Sequence, residues 1–96
     1  MKPRREVLEF SGAMEYKLAL NDIRGGWLEC DPFWLLRRLR EETTELEKVM
    51  RSKGDGWLTK LTLEAADVAN FAMMIQDAMT HQWAGKIDER AIPKEF

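Results

Sequence analysis

Two short segments hold the residue types that could do chemistry. Arg40-Glu41-Glu42-Thr43-Thr44-Glu45-Leu46 carries Glu42 and Glu45 three positions apart, and Leu63-Glu64-Ala65-Ala66-Asp67-Val68-Ala69-Asn70 carries Glu64 and Asp67 at the same spacing. On a helix, residues three apart share a face and lie about 5–6 Å apart at Cβ, so each pair can aim its oxygens at one point. Two such helices side by side would gather four carboxylates. Four uncompensated anions repel strongly in partly dry surroundings, and the arrangement becomes reasonable once divalent cations are held between them. Either pair alone is an ordinary feature of a solvated helix; what sets these apart is the apolar pattern that each interrupts.

The second helix shows this best. Asp31-Pro32 is a strong helix start, because aspartate caps free amides and proline at the first position loses nothing by lacking an N–H. The spacing predicts a helix from about Pro32 to Ser52, with Gly54 close to its stop. Leu35, Leu39, Leu46 and Val49 fall on one stripe at 3.6 residues per turn. Glu42 falls in its middle, Glu45 at its edge beside Arg38, while Glu41 and Glu47 point away. A carboxylate in an apolar stripe costs several kcal/mol unless paired or metal-bound. Gly54-Asp55-Gly56-Trp57 reads as a tight turn, so the next helix, about Leu58 to Gln82, must run antiparallel. From Ala65 to Met79 that helix is apolar nearly all round, broken by Asp67, Asn70, Gln76 and Asp77. Such a helix is buried on more than one side, which implies a partner subunit.

An N-terminal helix is predicted from about Glu6 to Ile23, on the stripe Val7, Phe10, Met14 and Leu18, before Arg24-Gly25-Gly26-Trp27 breaks the pattern. The tail from Gly85 to Phe96 is charged, with room for a helical turn or for packing over a neighbour. The expected fold class is all-α: one domain over residues 1–96, an antiparallel helical hairpin plus an N-terminal helix, completed as a four-helix-type bundle by homo-oligomerisation.

Composition narrows the function classes. The chain has 96 residues, 45% of them hydrophobic, with four Trp, four Phe and six Met, which excludes disorder by composition. A net charge of -2 and a pI near 5.4 argue against a general binder of nucleic-acid polymers or membrane surfaces. A single cysteine, Cys30, excludes an intrachain disulfide framework and suits a reducing compartment. The basic start Met1-Lys2-Pro3-Arg4-Arg5 is followed by Glu6 and Glu9 rather than an apolar run, so neither a signal peptide nor a membrane span is expected, and the default location is cytoplasmic.

Hard carboxylate oxygens with no His or Cys cluster suit Mg²⁺, with Mn²⁺ as a substitute, and not zinc. A di-iron bundle would want Glu-x-x-His on two helices, but the single histidine, His81, has Ala78 three residues before it. Magnesium held by protein carboxylates keeps positions open for waters and substrate phosphates, so phosphoanhydride chemistry is the natural consequence.

Glu-x-x-Glu on one helix and Glu-x-x-Asp on the next, with eighteen residues between them, resembles the all-α nucleoside triphosphate pyrophosphohydrolases of the MazG type, relatives of the dimeric dUTPases. The resemblance covers about Trp27 to Gln82 and is strongest in Leu39–Leu46 and Glu64–Phe71. It implies a bundle completed by dimerisation, sometimes doubled to a tetramer. It also implies Mg²⁺-dependent cleavage of a nucleoside triphosphate to the monophosphate and pyrophosphate, in keeping with clearance of non-standard nucleotides. By motif match, Glu42, Glu45, Glu64 and Asp67 would be metal ligands and catalytic residues, Glu45 being also the best placed to orient the attacking water. Asn70, one turn after Asp67, would meet the sugar or a phosphate. The chain departs from the family in its shortness and its minimal loop between the helices, and nothing in it fixes the base.

Other residues carry weaker readings. Arg38, Lys48 and Lys60 are candidate phosphate contacts or ordinary solvated charges. Trp27 and Trp57 could stack on a base or serve a core or interface. Met73, Met74 and Met79 read as packing, His81 as structural or solvent-facing, and Cys30 has no visible catalytic partner. The alternative to an enzyme is a non-catalytic oligomeric binding module or a nucleotide sensor on the same scaffold.

Overall fold

A computed structural model of the chain describes residues 1–20 and 26–84. Three helices and no strand occur among them: α1 (Arg5–Leu20), α2 (Pro32–Ser52) and α3 (Trp57–Trp83). The predicted extension of the first helix to Ile23, the Arg24-Gly25 part of the break and the tail after Ala84 lie outside the described residues. No helix of the described residues is long and apolar enough to cross a membrane.

The hairpin forms where its local chemistry dictates. Asp31 caps α2, its Oδ1 accepting from the Phe33 amide at 2.9 Å, with Pro32 entering the first turn. Predicted and observed bounds of α2 coincide. Its end differs in one respect: the left-handed position falls on Lys53 (φ 45°) and not on Gly54. The Lys53 amide still reaches back to the Val49 carbonyl at 3.2 Å, so the cap is made by a residue that bears a Cβ. Lys53→Gly removes that strain and should raise stability by about 0.5–1 kcal/mol, read as a higher urea midpoint at unchanged slope; an unchanged midpoint would mean that the Lys53 ammonium, 5.9 Å from the Trp57 ring centroid, offsets the strain. Gly56 takes φ 67° at the start of α3, where glycine is free of the steric penalty.

The 53–56 connection is too short for anything but an antiparallel return, and α3 packs along α2. It also packs against α1, whereas α1 and α2 do not pack on each other. α3 is thus the central element, which explains its apolar residues all round. Its small residues Ala66 and Ala78 are fully buried, and Leu35 from α2 is the one large side chain wholly excluded from water among the described residues. Met74 completes this core, with Leu18, Trp27, Cys30, Phe71, Met73 and Ile75 packed around it. Polar ties hold the segment before α2 onto the end of α3. The Trp27 indole N–H donates to Asp77 at 3.0 Å, the Gln82 amide donates to the Leu28 and Cys30 carbonyls at 2.9 and 2.7 Å, and His81 meets Glu29 at 2.8 Å.

Candidate functional site

Because α1 and α2 both lie on α3 without meeting, a groove opens between them with α3 as its floor. It forms a cleft of about 490 Å³. α2 contributes Trp34, Arg38, Glu42 and Glu45, spaced by four, four and three residues and hence on one face; α3 contributes Glu64, Asp67, Asn70, Phe71 and Met74, and α1 contributes Lys17 and Leu18.

At its heart Glu42, Glu64 and Asp67 each offer a carboxylate oxygen, and these atoms lie within 4.8 Å of one another. All three side chains are half-buried. Glu42 sits in the apolar stripe where the spacing placed it, and its pKa is raised: burial is the largest cause, followed by the charge of Asp67, a hydrogen bond to Glu64 and the charge of Glu64, with Arg38 pulling the other way. No donor reaches the buried Oε2 of Glu64.

Two cations line the cleft. Arg38 Nη2 lies 3.2 Å from Glu42 Oε1, and Nη1 of the same residue donates to Glu41. Its guanidinium also sits 5.3 Å from the Phe71 ring centroid, a stacking arrangement that arginine favours. Lys17 Nζ lies 3.3 Å from Asp67 Oδ2. Four carboxylates against two cations leave the lining with an excess of two negative charges. Oxygen donors, clustered oxygens, an acid with no donor and this charge excess are what a hard divalent cation requires. The residues present therefore fit such an ion, with Glu42, Glu64 and Asp67 as the set that would hold it.

The predicted site residues divide. Glu42, Glu64 and Asp67 come together, three of the four acids named from the motif. Glu45 lines the cleft but stands outside that triad; its side chain is 52% exposed and pairs with Lys48 at 3.1 Å, not with Arg38. It shares the face of Glu42 but lies at the exposed edge of the lining. Asn70 is 3% exposed, and its Nδ2 donates to the Met14 carbonyl at 3.0 Å. Its first task is thus to fasten α1, although it also borders the cleft and its Oδ1 has no partner. Arg38 is in the cleft; Lys48 and the exposed Lys60 do not line it. Neither predicted tryptophan does so. Trp27 is tied to Asp77 against the core, and Trp57 opens α3 at the hairpin turn, at the opposite end of that helix from the core around Met74 and Ala78.

Lys17, Trp34 and Phe71 are the residues that the sequence reading missed as site members. Trp34 and Phe71 had a usable signal: they stand four residues before Arg38 and four after Asp67, on the same faces as the acids. Lys17 had none, since only the packing of α1 on α3 places it there. No family model matches this chain, and no curated protein or solved structure matches it.

Proposed function

We propose that the chain is a Mg²⁺-dependent nucleoside triphosphate pyrophosphohydrolase, converting an NTP or dNTP to the monophosphate and pyrophosphate, and that it works as a homo-oligomer. The observation that carries this reading is the cleft itself: a triad of carboxylates from two helices, in a lining that also includes the aromatic residues Trp34 and Phe71. A nucleotide has the same two-part character, a polyanion joined to a flat ring. The choice of triphosphate and of the bond cleaved draws on the paired motif's resemblance to MazG-type enzymes.

A divalent ion held there would supply neutralisation of phosphate charge and activation of a water. Glu42, Glu64 and Asp67 would hold the ion. Glu45, which lines the same cleft outside the triad, would orient the attacking water, a role drawn from the motif's resemblance. Arg38 offers a planar donor fork to phosphate oxygens and is itself held by Phe71. Trp34, half a helix away from the outermost acid on the same face, offers a surface on which any base can stack.

Oligomerisation has its own support. Phe33 is 72% exposed, Leu58 62% and Val7 57%, and the buried core of one chain is thin. A second copy covering such residues would complete a four-helix-type bundle around paired hairpins, as a dimer or a tetramer. A cytoplasmic setting accords with the single cysteine and with the nucleotide pool.

The test is a panel of nucleotides with and without Mg²⁺, scoring monophosphate and pyrophosphate together. Metal-dependent release of both in equal amounts is expected, and it names the base. Orthophosphate instead would show the scissile bond to be wrong. No turnover on any nucleotide by folded protein would replace the enzyme with a binding module or nucleotide sensor.

A further inference from the structure

We propose that Lys17 is the built-in counter-cation of the acidic triad, displaced from Asp67 when a divalent cation binds and then positioned to take the substrate's phosphates. The proposal rests on the metal-dependent hydrolase reading above and adds to it a residue from a helix that carries none of the motif.

Several observations point the same way. Lys17 and Asp67 are on different helices, yet their side chains are only 17% and 16% exposed, so this ion pair is far better shielded than the surface pairs Arg5–Glu9 or Arg51–Glu47. Shielding makes each charge dependent on the other, because a half-dry carboxylate among two more carboxylates needs a cation. An ammonium is a compact point charge on a flexible stem, able to neutralise a carboxylate where a metal ion would otherwise sit. Its grip is nonetheless incomplete: Glu64 Oε2 remains buried without a donor. Asn70, 97% buried by its 3% exposure, borders the same cleft with Oδ1 unpartnered. The cleft lining thus holds more acceptor capacity than Lys17 satisfies, in Glu64 of the triad and in Asn70 beside it, and an ion with several coordination positions would satisfy more of it.

The geometry also says where Lys17 goes. α1 is fastened to α3 by the Asn70–Met14 hydrogen bond and by the packing of Leu18 near the core, both independent of the ammonium. Four flexible methylenes let Nζ shift its position along the cleft that Lys17 lines while its backbone stays in place. A divalent ion and an ammonium repel, so loading the triad drives Lys17 toward added negative charge, which a polyphosphate supplies.

Two affinities with opposite expected signs test this. Lys17→Met should bind Mn²⁺ on the order of tenfold more tightly by calorimetry, since a competing charge a few ångströms away is gone. With Mn²⁺ saturating, it should bind inorganic imidotriphosphate on the order of tenfold more weakly, and Lys17→Arg should recover part of that loss. A purely structural lysine would weaken both or neither, and either result overturns the proposal while the hydrolase reading stands. Absence of Mn²⁺ binding by wild-type protein overturns both. Should Lys17→Met fail to fold, the wild-type Lys17 Cε resonance decides. It should shift on Mg²⁺ addition and again on imidotriphosphate; a resonance unmoved at saturating Mg²⁺ overturns the proposal.

Discussion

Glu42→Gln is expected to cut Mg²⁺-dependent nucleotide turnover to below about one-hundredth of wild type, and, without metal, to make the fold more stable at neutral pH. The two effects share one cause. Glu42 stands in an apolar stripe beside Glu64 and Asp67, and its pKa is raised above the ordinary 4.5 by burial first and by those neighbours next. The folded state therefore holds this proton more tightly than the unfolded chain does. The stabilisation tied to it is present in full below about pH 4.5 and is lost as pH rises through the raised value. Glutamine keeps the shape and never ionises, so the metal-free mutant should melt several degrees above metal-free wild type at neutral pH, with the gap closing toward acid. Mg²⁺ should reverse the order by stabilising wild type alone. Thermal melts across pH, with Mg²⁺ or with chelator, check this beside the turnover assay. A metal-free mutant less stable than wild type at neutral pH would mean that the Arg38 pair outweighs the crowding of acids.

Leu35→Ala is expected to lose about 3 kcal/mol of stability and, for a domain of this size, on the order of 15 °C in Tm. Leu35 is fully buried and packs with Met74 and Ala78, the latter too small to fill the space left behind. A domain stable by about 5–15 kcal/mol feels such a loss heavily. The contrasting substitution is Met50→Ala on the same helix, at a side chain 53% exposed, which should stay within about 0.5 kcal/mol. Chemical denaturation of both variants gives the comparison. Equal losses would move the core away from the α2–α3 seam, whereas loss of cooperativity in Leu35→Ala would show that one residue holds the hairpin together.

Much of this was legible along the chain because it depends on near neighbours. The bounds of α2 follow from Asp31, Pro32 and the 3.6-residue stripe, all local chemistry. The placement of Glu42 in that stripe, and of Glu64 and Asp67 on one face of α3, follows from helical periodicity. Their convergence follows from the four-residue turn, which leaves the helices no course but an antiparallel one. Glu45 was harder to place: it shares the face of Glu42 and lines the cleft, yet lies at the edge of the stripe, and a motif does not record how far the cover of the neighbouring helix extends.

What only the tertiary structure decided is where α1 lies. Nothing within twenty residues of Lys17 in sequence marks it as a partner of Asp67; the contact spans fifty positions and exists because α3 is broad enough in its apolar surface to hold a helix on each flank. The same packing separates α1 from α2 and so creates the cleft, selecting Trp34 over Trp27 and Trp57 as the indole beside the acids. Helices and their faces are set by interactions between residues three or four apart, which a sequence displays directly. The choice of which faces meet is a competition among alternatives of similar apolar area, and only the packed chain resolves it.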